Sequence, residues 1–188
     1  MRACAMPCRG RARNAAPAVG TVLAAGLLAL PLLIAACGEK SGTIQPQEIT
    51  KATVCSLDGM LLMEHPGPKG QIHYDQGRPD FFCDTKEMFA VYLNPEQRKR
   101  VVAVFTQDMG KADWIRPEGH WIDAKGAFYV FGSTRHGSMG PTVASFGREE
   151  DAQAFVKKHG GKVLRFESVT LNMVALDGGV VRDEHGTR

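Results

Sequence analysis

The chain has 188 residues, with 23 Lys and Arg against 20 Asp and Glu and a formal net charge of +3 with histidine neutral. The excess is local: residues 1–36 hold Arg2, Arg9, Arg11 and Arg13 and no acid, which leaves 19 basic and 20 acidic side chains on the other 152 residues. A body so nearly neutral gives no case for a nucleic-acid partner, and its length suits one ordinary domain or two very small ones.

The arginines precede an apolar run from Val22 to Ile34 that contains Pro31. A positive stretch followed by an apolar one is the pattern of an export signal, and the helix-breaking proline argues against a permanent membrane span. The run closes in Ile34-Ala35-Ala36-Cys37, which looks like a lipobox. Residues 1–36 are therefore expected to be a lipoprotein signal peptide, with Cys37 lipidated as the mature N-terminus. An ordinary cleaved signal is the alternative. Acyl burial at ~0.8 kcal/mol per methylene would hold such a chain on a membrane. The expected location is a periplasm-facing lipoprotein, with Gly38 after the lipidated cysteine favouring the outer membrane over the inner.

From Gly38 to Gln47 the chain is polar and without apolar period, so residues 37–50 are expected to be a flexible tether. The glycine-rich and charged stretch at 171–188 is expected to be a disordered tail. Between them the same order of elements occurs twice. Gln71 to Tyr74 reads as a strand, Asp75 to Pro79 as a hairpin turn and Asp80 to Cys83 as a second strand. Asp84 can cap a helix with Glu87 closing a capping box, and Met88, Phe89, Tyr92 and Leu93 share one side of it. Asn94-Pro95 ends the helix, and Val101 to Phe105 is a third strand. In the second half, Ala127–Phe131 and Thr142–Phe146 are strands around a glycine-rich connection. A helix over 148–159 is stopped by Gly160-Gly161, and Lys162–Phe166 closes the unit. The expected fold is α+β, two duplicated β-β-α-β lobes over 51–110 and 111–170 with small mixed or antiparallel sheets.

Chemistry is carried by sulfur. Cys4 and Cys8 fall within the signal and Cys37 is the lipidation site, so Cys55 and Cys83 are the free thiols of the mature chain. In an oxidising compartment they could form a disulfide, stay free or bind metal. Cys55-Ser56-Leu57-Asp58-Gly59-Met60 sets a thiolate and a thioether beside a glycine, and Met109 and Met139 also abut glycines. Thiolate and thioether are soft ligands that select Cu(I) over hard cations. His65, ahead of Pro66-Gly67-Pro68, and His120 are candidate nitrogen donors. Met88 reads as core. No Cys-x-x-Cys or His-x-x-x-His spacing supports a structural zinc site, and no phosphate loop or nucleophile elbow supports an enzyme. The candidate metal ligands are Cys55, Met60, Met109, His120, His65 and Met139.

Several stretches in order resemble the NosL family: Cys55 to Met60, His65 to Ile72, Phe82-Cys83-Asp84, Gln107 to Trp114, Trp121 to Ala124, Gly132-Ser133 and Gly137 to Pro141. The resemblance runs from Cys55 to Phe166. It implies a lipid-anchored periplasmic protein that binds one Cu(I) and supports assembly of the copper centres of nitrous-oxide reductase, with that enzyme and its maturation machinery as partners. A fold similar to part of organomercurial lyase is also implied, and a monomer is expected. Two other readings stay open: a thiol-dependent enzyme related to organomercurial lyase, and a docking lipoprotein stapled by a Cys55–Cys83 disulfide.

Overall fold

The computed structural model describes residues 43–176; the signal peptide, Cys37 and residues 177–188 lie outside the described residues. Strand β1 (Gly70–Tyr74) pairs antiparallel with β2 (Asp80–Phe82) and with β3 (Val101–Gln107). Helix α1 (Thr85–Tyr92) joins β2 to β3. Asp84 stays extended before the first turn and accepts the Lys86 N–H at 2.8 Å, capping the helix as its sequence predicts. In the second half, β5 (Phe128–Phe131) lies between β8 (Ala144–Phe146) and β9 (Lys162–Arg165), again antiparallel to both. Helix α2 (Glu149–His159) joins β8 to β9, with acids in its first turn and Lys157, Lys158 and His159 in its last, as the helix dipole favours. Gly160, with φ 71°, ends it.

The two halves thus repeat both element order and strand order, with the first strand central in each sheet. The pairings given above are all antiparallel. The repeat does not divide the body in two at residue 110. Strand β4 (Trp121–Asp123), from the stretch assigned to the second lobe, pairs with β3 and extends the first sheet to the order β2-β1-β3-β4. The core also runs across that boundary. Phe89 of α1 meets Tyr129 at 4.8 Å and Phe166 at 5.1 Å between ring centroids, so the first helix buries its apolar side partly against the second half. The glycine-rich connection after β5 holds a small hairpin, β6 (His136–Gly137) with β7 (Gly140–Pro141).

Two boundaries move outward. The tether expected over 37–50 is already docked by Gln47, whose backbone exchanges hydrogen bonds with the Gln71 amide at 2.9 and 2.8 Å. Glu48 accepts from the Trp121 indole at 3.3 Å, and Ile49 is buried. At the other end Leu171–Val174 forms a short 3-10 turn with Val174 buried in the main core, so the tail expected from 171 begins later. Apolar side chains at Ile49 and Val174 explain both shifts, because each exchanges water for core contact.

Candidate metal centre

Cys55 opens a tight hairpin. Val54 bridges Leu61, the Cys55 N–H donates to the Met60 carbonyl at 2.8 Å, and Gly59 takes the positive φ of 79° that the turn requires. Asp58 steadies the loop by accepting the Met60 N–H at 2.9 Å. Ser56 then docks the whole hairpin on the edge of β2: its N–H donates to the Phe81 carbonyl at 2.7 Å and its hydroxyl accepts the Phe81 N–H at 3.1 Å. That seam places Cys55 beside Cys83, which lies between β2 and the cap of α1.

The two thiols point at one carboxylate oxygen. Glu87 Oε2 accepts from Cys83 Sγ at 3.1 Å and from Cys55 Sγ at 3.4 Å. Asp58 Oδ2 lies 3.8 Å from Cys83 Sγ, and the donor atoms of Cys55, Asp58, Cys83 and Glu87 are all within 4.8 Å of one another. Cys55, Cys83 and Glu87 are buried while Asp58 is exposed, so the cluster has a single wet edge. Met60, Met63, Phe81 and Trp121 pack around it. Glu87 therefore does not complete the capping box its position predicted; the thiols claim its side chain.

The electrostatics follow from sharing. A hydrogen bond with the Cys83 thiol, helped by the backbone N–H groups of Cys83, Asp58 and Leu57, outweighs burial and lowers the Cys55 pKa to about 6. The same hydrogen bond and burial push the Cys83 thiol up. Burial, with the Cys55 thiolate nearby, raises Glu87 to about 7. Sharing one site, the two thiols titrate apart, Cys55 lowered and Cys83 raised, beside a Glu87 carboxyl that burial raises.

Of the sequence-predicted ligands, Cys55 lies in the cluster, and Met60 packs against the apolar group that includes Cys55, Cys83, Leu62 and Ile49. Met109 lies in another cluster, against Phe146 and α2, where Gly110 serves a turn made by Asp108. Neither His65 nor His120 is among the donors within 4.8 Å. His120 is exposed, with a left-handed φ of 53°, and its carbonyl accepts the Asp108 N–H. Met139 is 58% exposed at the tip of the β6–β7 hairpin, whose neighbouring Ser138 hydroxyl donates to the Cys83 carbonyl at 2.7 Å. Glu87 and Asp58, which join this cluster, are not among the sequence-predicted ligands, and the sequence leaves Cys83 open between disulfide, free thiol and metal. The spacing Cys83-x-x-x-Glu87 across a helix start was the available signal, since such residues are neighbours on one face.

The remaining family-like motifs build the backing. Gly137 packs so closely that a Cβ there would lie 2.5 Å from Asp84 Oδ2 and 2.8 Å from Thr142 Cβ, and a Cβ on Gly67 would lie 2.8 Å from the Gly137 Cα. Gly137→Ala should push the hairpin off Asp84 and cost about 1–3 kcal/mol through overpacking, read as a lower midpoint in denaturant unfolding. Both thiols are free. Oxidised glutathione should join them in the metal-free chain, the thiols losing two electrons and two protons as the reagent becomes two thiols. Intact mass would record the lost hydrogens, and thiol labelling of an unchanged protein would contradict the placement.

Fold and cluster together define a class: a small duplicated α+β protein holding two thiols and two carboxylates in one mostly buried group. The NosL family profile matches residues 46–174, and the chain belongs to that family. It is 42% identical over 154 residues to the copper-binding lipoprotein NosL of Stutzerimonas stutzeri, covering 80% of this chain and 79% of the relative. Identity is 40% over 159 residues to the copper-binding lipoprotein NosL of Achromobacter cycloclastes, covering 81% of each. The fold matches the crystal structure of the copper chaperone NosL from Shewanella denitrificans with a TM-score of 0.66 and 38% identity, over 68% of this chain and 97% of that one.

Proposed function

We propose that this chain is a lipid-anchored copper carrier that holds Cu(I) at the Cys55–Cys83 cluster and delivers it for assembly of the copper centres of nitrous-oxide reductase. The observation that carries the reading is the convergence of two thiols, with Met60 and Met63 packed on the apolar group to which both cysteines belong. Such a donor set suits a soft monovalent ion. The names of the relatives support copper as cargo, and the lipobox-like sequence ending in Cys37 supports the anchor. Cys55 supplies the more acidic thiol, Cys83 the second sulfur, and a methionine thioether completes a low-coordinate site. Asp58 marks the edge from which a partner's ligands could exchange with these. Binding and transfer, not covalent turnover of a substrate, is the proposed role.

The test is an anaerobic titration of the reduced full chain with Cu(I) against a competing chelator. One tightly held ion per chain, lost in Cys55→Ser, is expected. Weak uptake by the wild type, or uptake indifferent to that substitution, would remove the proposal. In cells, reductase matured beside Cys55→Ser should lack copper. Normal copper content there would separate a binding role from a delivery role.

A further inference from the structure

Thiolates hold Zn(II) as well as Cu(I), and carboxylates also ligate Zn(II), so two cysteines and two carboxylates do not by themselves exclude a divalent ion. Lys69 offers what is missing. The residue is fully buried, and its Nζ donates to the Cys83 carbonyl at 2.9 Å and the Pro66 carbonyl at 3.0 Å. It makes no ion pair within 4 Å among the described residues. A buried ammonium in that position is expensive unless nearby negative charge offsets it. Asp84, Glu87 and the Cys55–Cys83 pair are the acidic groups whose negative charge, when ionised, favours the ammonium form of Lys69. Asp84 has one buried carboxylate oxygen, Oδ2, without a hydrogen-bond partner. The Cys83 and Pro66 carbonyls take two of the three N–H groups that an ammonium donates.

We propose that Lys69 is a specificity-determining residue, whose fixed positive charge behind Cys83 biases the cluster toward a monovalent over a divalent metal. With the same donors in the same protonation state, the two loaded clusters differ by one positive charge. Lys69 therefore opposes the divalent state by one extra unit-charge interaction, however many protons the thiols release. Exclusion of water from this side of the cluster strengthens that interaction relative to solvent. The inference rests on the metal-carrier reading above, and it concerns the ratio of two affinities, not either one alone.

The experiment measures Cu(I) and Zn(II) affinities of the full chain, each against a suitable chelator under anaerobic conditions, for wild type, Lys69→Met, Lys69→Gln and Lys69→Arg. Lys69→Met and Lys69→Gln should shift the Cu(I):Zn(II) affinity ratio toward zinc by on the order of tenfold or more, and Lys69→Arg should keep the wild-type ratio. Equal losses for both metals, with the ratio unmoved, would make Lys69 a packing residue and overturn the inference. So would failure of both neutral variants to fold while the arginine variant folds, judged by circular dichroism. A wild type that takes up neither metal would instead defeat the carrier reading itself.

Discussion

Cys83→Ser should lower Cu(I) affinity more than about a hundredfold, while Met109→Ala should leave it within a factor of about two. The contrast follows from position. Cys83 shares Glu87 Oε2 with Cys55, whereas Met109 packs against Phe146 on the side of α2. A serine hydroxyl is a hard donor that keeps its proton at neutral pH, so the substitution removes one soft ligand outright. The pH dependence supplies an independent check. The raised Cys83 thiol must give up its proton to metal across the working range, so affinity should fall about tenfold per pH unit as pH drops. Below about pH 6 the slope should steepen, because Cys55 begins to protonate as well. Competitive chelator titrations of wild type and both variants between pH 5.5 and 8 (about the range where the native chain should persist) test this. A flat profile, or a larger loss in Met109→Ala than in Cys83→Ser, would contradict the placement of the site.

Asp84→Asn should stabilise the metal-free chain at pH 8 by as much as about 4 kcal/mol and have little effect near pH 4. Burial is the main cause that raises the Asp84 carboxyl from 3.8 to about 7, against its hydrogen bonds from Lys86 N–H and the Thr142 hydroxyl. A raised acid binds its proton more tightly in the folded state than in the unfolded one. Folding stability therefore falls as pH climbs from about 4 to 7 and levels off above that. Asparagine can still cap α1 and carries no charge to bury, so the variant should lose this part of the pH dependence. Glu87 is shifted the same way and will leave some slope in the variant. The lowered Lys69 acts in the opposite sense, and only above about pH 8. Denaturant unfolding at several pH values, with reductant present, gives the comparison. A variant less stable at pH 8 would show that the Asp84 charge is needed to hold Lys69, and that this pairing outweighs desolvation.

Local chemistry made much of the fold legible. Asp84 caps α1, Gly160 stops α2, and each half follows its period from strand to helix. Reading failed where distant segments decide. The pattern Asp84-x-x-Glu87 is a capping box by local rules, yet thiols brought from residue 55 and residue 83 occupy the glutamate. The seam that brings Cys55 there, Ser56 to Phe81, joins residues 25 apart and has no local signature. Met60, Met109 and Met139 share a neighbouring glycine in sequence but not a place in the fold: Met139 is exposed on a hairpin tip, and Met60 packs on the apolar group of Cys55. At Met109 the glycine belongs to an Asp108 turn, and the half-buried side chain packs on a cluster of Val130, Ala144, Phe146 and Ala152 that the sequence places downstream. Sulfur as the chemistry of the chain was readable; which sulfurs meet was not.

The strap from Gln47 to Ile49 has a consequence for where cargo changes hands. It fastens the leader to the face that carries Cys55, since Ile49 belongs to the same apolar cluster. Only the nine residues from Gly38 to Pro46 separate the lipid attachment point proposed at Cys37 from that fastening. At about 3.5 Å each they span roughly 30 Å when fully extended. Under the proposed anchor at Cys37, that fastening would lie within this distance of the bilayer, and a receiver of the proposed cargo would meet the site close to the membrane surface.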